Sequence, residues 1–535
     1  MISEKFKSII ALSSAVILGA VTFFVIYPHL LDFSYDVWLL TAGPDQIQYY
    51  TGWLMYRQAE WSWPLGMISS YAYPSGISIS YTDSIPLLAI FFKIFSHYLP
   101  MVFQYTGLWL LLCFILQGIF SYLLLEKFFK NKVLSLLGSV FFILSPIMLL
   151  RMGGHFALAG HWLILAAWWL FFTKDRLSWL AWLTVTGLAL LVHPYLLFMV
   201  FFVAVLQAVD LLLIKKTISL KKFTLFILSL LTYLFFCGFI LGLFQIEQST
   251  ATGYGDFSMN LNALFNPMTW SGVLADRPSI FYQAEGFNYL GLGIIFLLIF
   301  SIVIFFREKN KLESLKNNWL LILFCLFLTL LALSHIVTWD DRILFQIHWP
   351  KFIIDNIFGI FRSSGRFFWP VYYLIMLGVI LSVKKLKFKQ AVIVLCLALF
   401  IQIYDLSHKI IERSQEYQNK TYTSLNNQII SEYLPKYQHL SFLPVINHKY
   451  FSYFVLEAAE NNLSINDGYF AREPKNMSVN KQKEIEQVKN GYLERETIYV
   501  ISRDIDGLML NINQQDHLVL DFDNNIIIFP YYQER

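Results

Sequence analysis

Charged residues are scarce in this sequence. Only 14% of its 535 residues are Asp, Glu, Lys or Arg, and the mean hydropathy is +0.55. Soluble domains carry about 25% charged residues, so this composition excludes an ordinary soluble protein. With 57% hydrophobic and 18% aromatic residues, the chain is typical of a polytopic helical membrane protein.

Cysteine is also rare, and the segments outside the apolar runs contain none. The four cysteines, Cys113, Cys237, Cys325 and Cys396, all fall inside apolar runs. No two of them have the spacing of a metal site or a redox motif, so packing is the favoured role. The sequence therefore offers no disulfide scaffold and no cysteine-based metal site.

Long apolar runs are what the chain has instead. A run of about 20 apolar residues predicts a transmembrane helix, and about eleven such runs are present. They cover residues 8–28, 102–125, 133–150, 156–173, 177–194, 196–214, 223–245, 288–306, 319–337, 367–384 and 390–405. The first run has no small-residue cleavage site, so we expect a signal anchor that is retained.

Basic residues predict the orientation of these spans. The segments 1–7, 126–132, 174–176, 215–222, 307–318 and 384–389 are short and rich in Lys and Arg, as in KFFKNK and KKLKFK. Basic loops stay in the cytoplasm, so the N-terminus is predicted inside and the C-terminus outside. The run 85–99 carries Lys93 and His97; as a full span it would invert every later loop. We expect a re-entrant or interfacial helix there.

The predicted fold is therefore mainly α, with two parts. Residues 1–405 form a transmembrane domain, whose first outside loop covers 29–101. From residue 406 the composition becomes that of a soluble protein, and 406–535 are predicted to form an outside α/β domain. The strand-like runs ETIYVIS, HLVLDFD and NIIIFPYY follow a charged helical stretch, 480–493.

Polar and ionisable residues concentrate in the predicted outside loops. Each has an ordinary structural alternative: a helix cap for Asp45, an interfacial group for a histidine, a lipid-headgroup contact or snorkelling for an arginine. Ionisable groups at membrane depth are nevertheless functional candidates. The candidates are Asp45, Asp83, His155, His161, Glu285, Asn288, Arg362 and Arg366.

A carboxylate that faces paired arginines suits group transfer from a phosphate carrier. The carboxylate can take a proton from an acceptor hydroxyl, and the arginines can hold a phosphate leaving group. Arg362 and Arg366 stand four residues apart across a glycine, just before a span.

This layout resembles the GT-C class of membrane glycosyltransferases, which have an acidic residue in the first outside loop and about 8–14 spans. The stretches PDQIQYYTGWLMYRQAEWSWPLG, YTDSIPLLA, GHFALAGHWLILAA, DFSMNLNALFNP, EGFNYLGLG and SGRFFWPVYY also resemble an uncharacterised bacterial family of multi-pass proteins near that class. This second resemblance covers most of 1–405, and INDGYFAR in the tail belongs to it.

The GT-C resemblance implies a role for each candidate. Asp45 matches the first-loop acid in position and would be the general base. Arg362 and Arg366 would bind the lipid phosphate. Asp83, His155, His161, Glu285 and Asn288 would contact sugar or acceptor. Asp45 stands alone as Pro-Asp-Gln, without the paired acid that many such enzymes show. No cofactor is therefore expected, and a divalent metal is an open but not favoured alternative.

The expected partners follow from that resemblance: a polyprenyl-phosphate-linked sugar as donor, a glycan, lipid or protein acceptor, membrane lipids, and no nucleic acid. The expected location is the bacterial cytoplasmic membrane, with the C-terminal domain in the periplasm or outside the cell. Two alternatives stay open: a transporter or flippase of lipid-linked sugars, and a non-catalytic cell-envelope assembly protein.

Overall fold

The structure is a computed structural model that describes residues 4–41, 43–249, 253–280, 282–307, 316–356, 358–418, 428–443, 448–502, 516–522 and 525–534. Within these ranges the chain is mainly helical, with a mixed β-sheet in its C-terminal region.

Every predicted apolar run coincides with a helix. A chain in lipid must satisfy its own backbone hydrogen bonds, and a single segment can do so only as a helix. The helices over these runs are Glu4–Ile26, Thr106–Phe129, Lys132–Ile143 followed by Pro146–Arg151, Trp162–Thr173, Trp179–Val192, Pro194–Val209, Leu220–Ile240, Leu292–Arg307, Trp319–Leu333, Trp369–Leu381 and Phe388–Glu416.

Not all of these helices are long enough to cross a bilayer. Among the described residues, 8 helical segments have the necessary length and apolar composition. Three apolar helices, Trp179–Val192, Leu292–Arg307 and Trp319–Leu333, are shorter. These helices thus have the length and composition of membrane spans, while the count of eleven spans, the membrane and the orientation stay predictions.

The ambiguous run 85–99 forms two short pieces. An α-helix covers Pro86–Ile94, and a 3₁₀ turn covers Ser96–Tyr98. At 1.5 Å per residue a helix of 9 residues reaches only about 14 Å, roughly half of the hydrocarbon thickness. This segment does not span; its position at the membrane interface stays a prediction.

The described chain divides into two compact units. The first consists of Met1–Asp32, Thr106–Leu234 and Thr250–Gln418 and holds most of the apolar helices. The second consists of Phe33–Tyr105, Phe235–Ser249 and Asn419–Arg535.

Small residues allow close helix contacts in the first unit. A Cβ added at Gly19 would lie 2.5 Å from the carbonyl oxygen of Phe114, and one at Gly118 would lie 2.7 Å from that of Ala15. Helices Glu4–Ile26 and Thr106–Phe129 therefore pack backbone to backbone, as small residues permit in membrane proteins.

The last long helix of this unit caps another helix. The Asp405 carboxylate accepts hydrogen bonds from Tyr289 Oη at 2.8 Å and from the backbone N–H of Leu292 at 3.0 Å. Gln402 Oε1 accepts from the N–H of Gly293 at 2.9 Å. The first N–H groups of a helix have no acceptor within that helix. Helix Phe388–Glu416 therefore supplies the acceptors for the first N–H groups of helix Leu292–Arg307.

The second unit contains a five-stranded sheet. Its strands are β5 (His439–Leu443), β6 (Ser464–Ile465), β7 (Thr497–Ser502), β8 (His517–Phe522) and β9 (Asn525–Pro530), and they lie side by side in the order β6-β5-β7-β9-β8. Strands β6 and β7 run parallel to β5, whereas β9 is antiparallel to β7 and to β8. The three predicted strands and the helix Met477–Lys489 are confirmed; β5 and β6 were not predicted.

The remaining elements are short. The α-helices are Val37–Thr41, Pro44–Gln58, Lys351–Asn356, Gln428–Tyr433 and His448–Glu460, and the hairpins are β1 (Met67–Ile68) with β2 (Ile77–Ser78) and β3 (Ile336–Trp339) with β4 (Arg342–Gln346). Helix Pro44–Gln58 packs against His448–Glu460. Most of the first outside loop thus belongs to the same compact unit as the C-terminal region. The sequence, in contrast, predicts this loop as part of the transmembrane domain.

Orientation can be tested by cysteine labelling. In a variant whose native cysteines are replaced, Gln482→Cys should react with a membrane-impermeant maleimide in intact cells. Lys127→Cys should react only after permeabilisation, because basic loops remain inside. Both side chains are exposed in the structure. Labelling of Lys127→Cys in intact cells would contradict the predicted orientation.

Candidate functional site

One carboxylate in the first unit is shared by two arginines. Arg151 Nη1 donates to Glu285 Oε2 at 2.9 Å, and Arg151 Nη2 donates to the Glu285 carbonyl oxygen at 3.2 Å. Arg366 Nε and Nη2 donate to the same Oε2 at 3.0 and 2.6 Å. His155 Nε2 lies 3.5 Å from Oε1. We call Glu285, Arg151, Arg366 and His155 the Glu285 cluster.

The Glu285 cluster is largely shielded from solvent. The side chains of Arg151, Arg366 and Glu285 are 3%, 8% and 22% exposed. Burial alone would raise the pKa of the Glu285 carboxyl. The two guanidinium groups and the hydrogen bond with His155 outweigh burial and hold that pKa well below its usual range. Glu285 is therefore ionised at neutral pH.

Two glycines bring Glu285 and Arg366 together. Gly286 directly follows Glu285, and Gly365 directly precedes Arg366. The backbones of the two glycines touch, because a Cβ on Gly365 would lie 2.5 Å from the Cα of Gly286. Asn288 joins the same two segments, because its Nδ2 donates to the carbonyl oxygen of Gly286 at 2.9 Å and to that of Gly365 at 3.4 Å. The chain thus fixes the carboxylate and one guanidinium through backbone contacts.

Aromatic rings support both guanidinium groups. Arg151 lies at the end of helix Pro146–Arg151, and its Cζ is 5.6 Å from the centroid of the Trp369 ring. Arg366 Cζ is 4.7 Å from the centroid of Tyr195. Flat guanidinium groups stack on aromatic faces in this way. Stacking restricts how far either group can turn.

The charges of the Glu285 cluster favour an anion. Two guanidinium groups and one carboxylate sum to +1, before any proton on His155. Guanidinium groups bind phosphate and carboxylate oxygens through paired N–H groups. A buried ion pair can also be purely structural, and removing one partner of such a pair usually destabilises a fold. The arrangement supports either role.

The two predicted histidines have different surroundings. His155 belongs to the Glu285 cluster and is 25% exposed. His161 is fully buried; its ring lies 4.3 Å from that of Trp369, and Nδ1 is 2.8 Å from Tyr373 Oη. Among the described residues, no group of three or more His, Cys, Asp and Glu side chains could hold a metal ion.

The structure does not bring the two predicted arginines, Arg362 and Arg366, together in one site. Arg366 is in the Glu285 cluster, but Arg362 is exposed, and its Cζ lies 5.2 Å from the centroid of the Phe257 ring. Asn288 is buried and positions the two glycine segments, as described above.

The two predicted aspartates lie in the second unit. Asp45 is half-buried in the first turn of helix Pro44–Gln58, which begins where the GPDQIQYYTGW stretch predicts a helix start. A carboxylate there faces the positive end of the helix dipole. Asp83 is half-buried with φ of 57°, in the turn before helix Pro86–Ile94. Aspartate tolerates this left-handed conformation better than most residues.

Sequence reasoning gave Arg151 no role, although its stretch, RMGGHFALAGHW, contains both candidate histidines. The available signal was a lone arginine at the predicted outer end of an apolar run, where an ionisable group needs a partner. Tyr195 and Trp369 gave no signal, since aromatic residues at helix ends are common in membrane proteins.

The Glu285 cluster should contribute strongly to stability. Glu285→Gln leaves two buried guanidinium groups without their carboxylate, which costs about 3 kcal/mol. We expect a melting temperature several degrees lower at pH 7, measured in detergent with Glu473→Gln, a substitution at an exposed glutamate, as control.

The pH dependence of this loss has a defined sign. Because the folded state holds the pKa of Glu285 below the ordinary value of 4.5, its contribution is complete above pH 4.5 and is lost as the pH falls through the folded-state value. The difference between wild type and Glu285→Gln should therefore shrink below pH 4.5. A constant difference down to pH 3 would contradict this assignment.

Two family models match the chain. One, described as a domain of unknown function (DUF6311), matches residues 16–407, which include the whole Glu285 cluster; the DUF6311 C-terminal domain matches residues 429–530. No glycosyltransferase model matches, and no curated protein matches the sequence. The GT-C part of the resemblance therefore stays a proposal. Since the first model alone covers more than half of the sequence, the protein belongs to the DUF6311 family.

Proposed function

We propose that this protein is a membrane glycosyltransferase. It would move a hexose or pentose from a polyprenyl-phosphate-linked donor to a glycan, lipid or protein acceptor at the outer face of the cytoplasmic membrane. The observation that carries the proposal is the Glu285 cluster, in which two buried guanidinium groups share one carboxylate.

A buried cluster that sums to +1 suits a phosphate that leaves with growing negative charge. In a shielded site each guanidinium–phosphate hydrogen bond is stronger than it would be in water. The aromatic contacts and the glycine contact hold the guanidinium groups in place before substrate arrives, so little reorganisation is needed when charge develops.

The position of these residues along the chain supports an enzyme over a transporter. Arg151 ends its helix, Arg366 precedes helix Trp369–Leu381, and Glu285 precedes helix Leu292–Arg307. The ionisable groups thus lie at helix ends or in the loops beside them, which the predicted orientation assigns to the outer face. A transporter typically has its substrate site near the middle of the bilayer.

In the proposed reaction a general base takes the proton of the acceptor hydroxyl, and the GT-C resemblance gives this role to Asp45. The hydroxyl oxygen forms a bond to the anomeric carbon, and the bond from that carbon to the phosphate oxygen breaks. The electron pair leaves with the polyprenyl phosphate, whose charge Arg151 and Arg366 stabilise. One displacement inverts the anomeric centre.

Binding of the lipid phosphate can be measured without knowing the sugar. In lipid nanodiscs, polyprenyl phosphate should raise the melting temperature of the wild-type protein, whereas the uncharged polyprenol of the same length should not. Arg366→Lys keeps the charge but loses the paired N–H geometry, so we expect affinity to fall about tenfold. For Arg151→Lys we expect the same loss of affinity for polyprenyl phosphate.

Arg342→Lys is the matched control, because Arg342 is exposed, lies in the same predicted outside segment as Arg366 and is not part of the Glu285 cluster. Equal stabilisation by polyprenol and polyprenyl phosphate, or Arg151→Lys and Arg366→Lys variants that bind like wild type, would count against the phosphate site.

The base can be tested separately. Asp45→Asn should abolish sugar transfer in membranes supplied with labelled polyprenyl-phosphate sugars, because the amide cannot accept the hydroxyl proton. Expression and melting temperature should stay near those of wild type. The control is Glu60→Gln, which neutralises an exposed carboxylate of the same loop. Full transfer by Asp45→Asn would exclude Asp45 as the base.

A further inference from the structure

The second unit contains a cavity that the proposed transfer reaction does not use. Its volume is about 270 Å³. One wall comes from the first outside loop, at Tyr73 and Pro74, and another from β5, at His439 and Ser441. The third is one face of helix Met477–Lys489.

The INDGYFAR segment holds these walls together. The N–H of Ile465 donates to the carbonyl oxygen of Ser70 at 2.7 Å, and the N–H of Tyr73 donates back to that of Ile465 at 2.8 Å. Gly468 packs against the ring of Tyr71 so closely that an added Cβ would lie 2.7 Å from it. The loop is thus paired with the sheet through its backbone, and the cavity is preformed.

Asn466, next in the same segment, crosslinks the sheet to the helix. Its Oδ1 accepts from the N–H of Phe442 at 2.9 Å, and its Nδ2 donates to Ser441 Oγ at 2.8 Å and to Glu484 Oε2 at 3.1 Å. The carboxylate of Glu484 is therefore oriented at the cavity wall by a buried amide.

Two kinds of surface meet in this cavity. The rings of Tyr73 and His439 stack with their centroids 4.4 Å apart, and Tyr73 is 39% exposed. The helix contributes the amide and carboxyl groups of Asn480, Glu484 and Gln487. A sugar ring has C–H groups on its faces, which pack on aromatic rings, and hydroxyls at its rim, which pair with amide and carboxyl groups.

The charges favour a neutral ligand over an anion. Lys481, the most enclosed lysine at the cavity, is bound to Asp467 with Nζ and Oδ2 2.7 Å apart, and these side chains are 12% and 4% exposed. The other charged lining groups are Lys483, Glu484 and Glu494, which do not form a positive site. Pockets for drug-sized ligands have about 300–1,000 Å³. At about 270 Å³ this cavity is slightly smaller and suits roughly one sugar ring.

We propose that this cavity binds a neutral sugar unit of a glycan. Identifying that glycan as the acceptor rests on the proposed glycosyltransferase function; the binding itself does not. INDGYFAR is then the segment that builds a glycan site from the first outside loop and the C-terminal sheet.

The test is binding to the full-length protein in nanodiscs, by saturation-transfer NMR and calorimetry. The probe is the neutral oligosaccharide fraction released from the source organism's envelope, with the acidic fraction as comparison. Tyr73→Ala and Glu484→Gln should each weaken binding of the neutral fraction about tenfold. Tyr492→Ala and Glu486→Gln are matched controls, since both residues are exposed and lie outside the cavity.

The expected result is binding of the neutral fraction by wild type and by both controls, with loss in the two cavity variants. No binding of that fraction by wild type, preference for the acidic fraction, or equal binding by all variants would overturn the proposal. Binding without any sugar transfer would leave the cavity assignment intact and count against the glycosyltransferase. Sugar transfer without binding of the neutral fraction would overturn the cavity assignment and leave the proposed glycosyltransferase function intact.

Discussion

The carboxylate of Glu285 is the constraint on which the first unit depends. Two guanidinium groups, from segments far apart in sequence, are taken out of water by aromatic rings and loops, and Glu285 Oε2 accepts from both. Desolvating a charge costs several kcal/mol unless it is paired and hydrogen-bonded. The contact of Gly286 with Gly365 and the bonds of Asn288 make that pairing geometrically achievable.

The helices were predictable because hydrophobic length is a local property, and each apolar run forms a helix. The three C-terminal strands are short runs rich in β-branched and aromatic residues, which is also a local property. Strand β6 has two residues, too few for any pattern, and β5 is recognisable mainly through its parallel neighbours. The grouping of Phe33–Tyr105 with Asn419–Arg535 depends on contacts between segments more than 300 residues apart, which one sequence does not reveal.

For the candidate site, the sequence predicted that Glu285, Arg366, His155 and Arg151 lie at one membrane surface, but it gave Arg151 no role. It suggested instead a pair of Arg362 and Arg366, four residues apart. That reasoning assumes one α-helix through both residues, whereas Arg362 lies in irregular backbone before the 3₁₀ segment Ser364–Phe368, which contains Arg366. Residues four apart then point in different directions, so one guanidinium enters the cluster and the other lies at the surface.

The touching backbones of Gly286 and Gly365 also give the cluster a recognisable signature in sequence. Neither glycine has room for a Cβ, and Asn288 must reach both carbonyl oxygens. The pair Glu-Gly-x-Asn in one loop and Ser-Gly-Arg before a later apolar run is therefore a compact description of this three-dimensional arrangement. In a chain with this order of apolar runs, both halves together predict that the same glutamate and arginine meet.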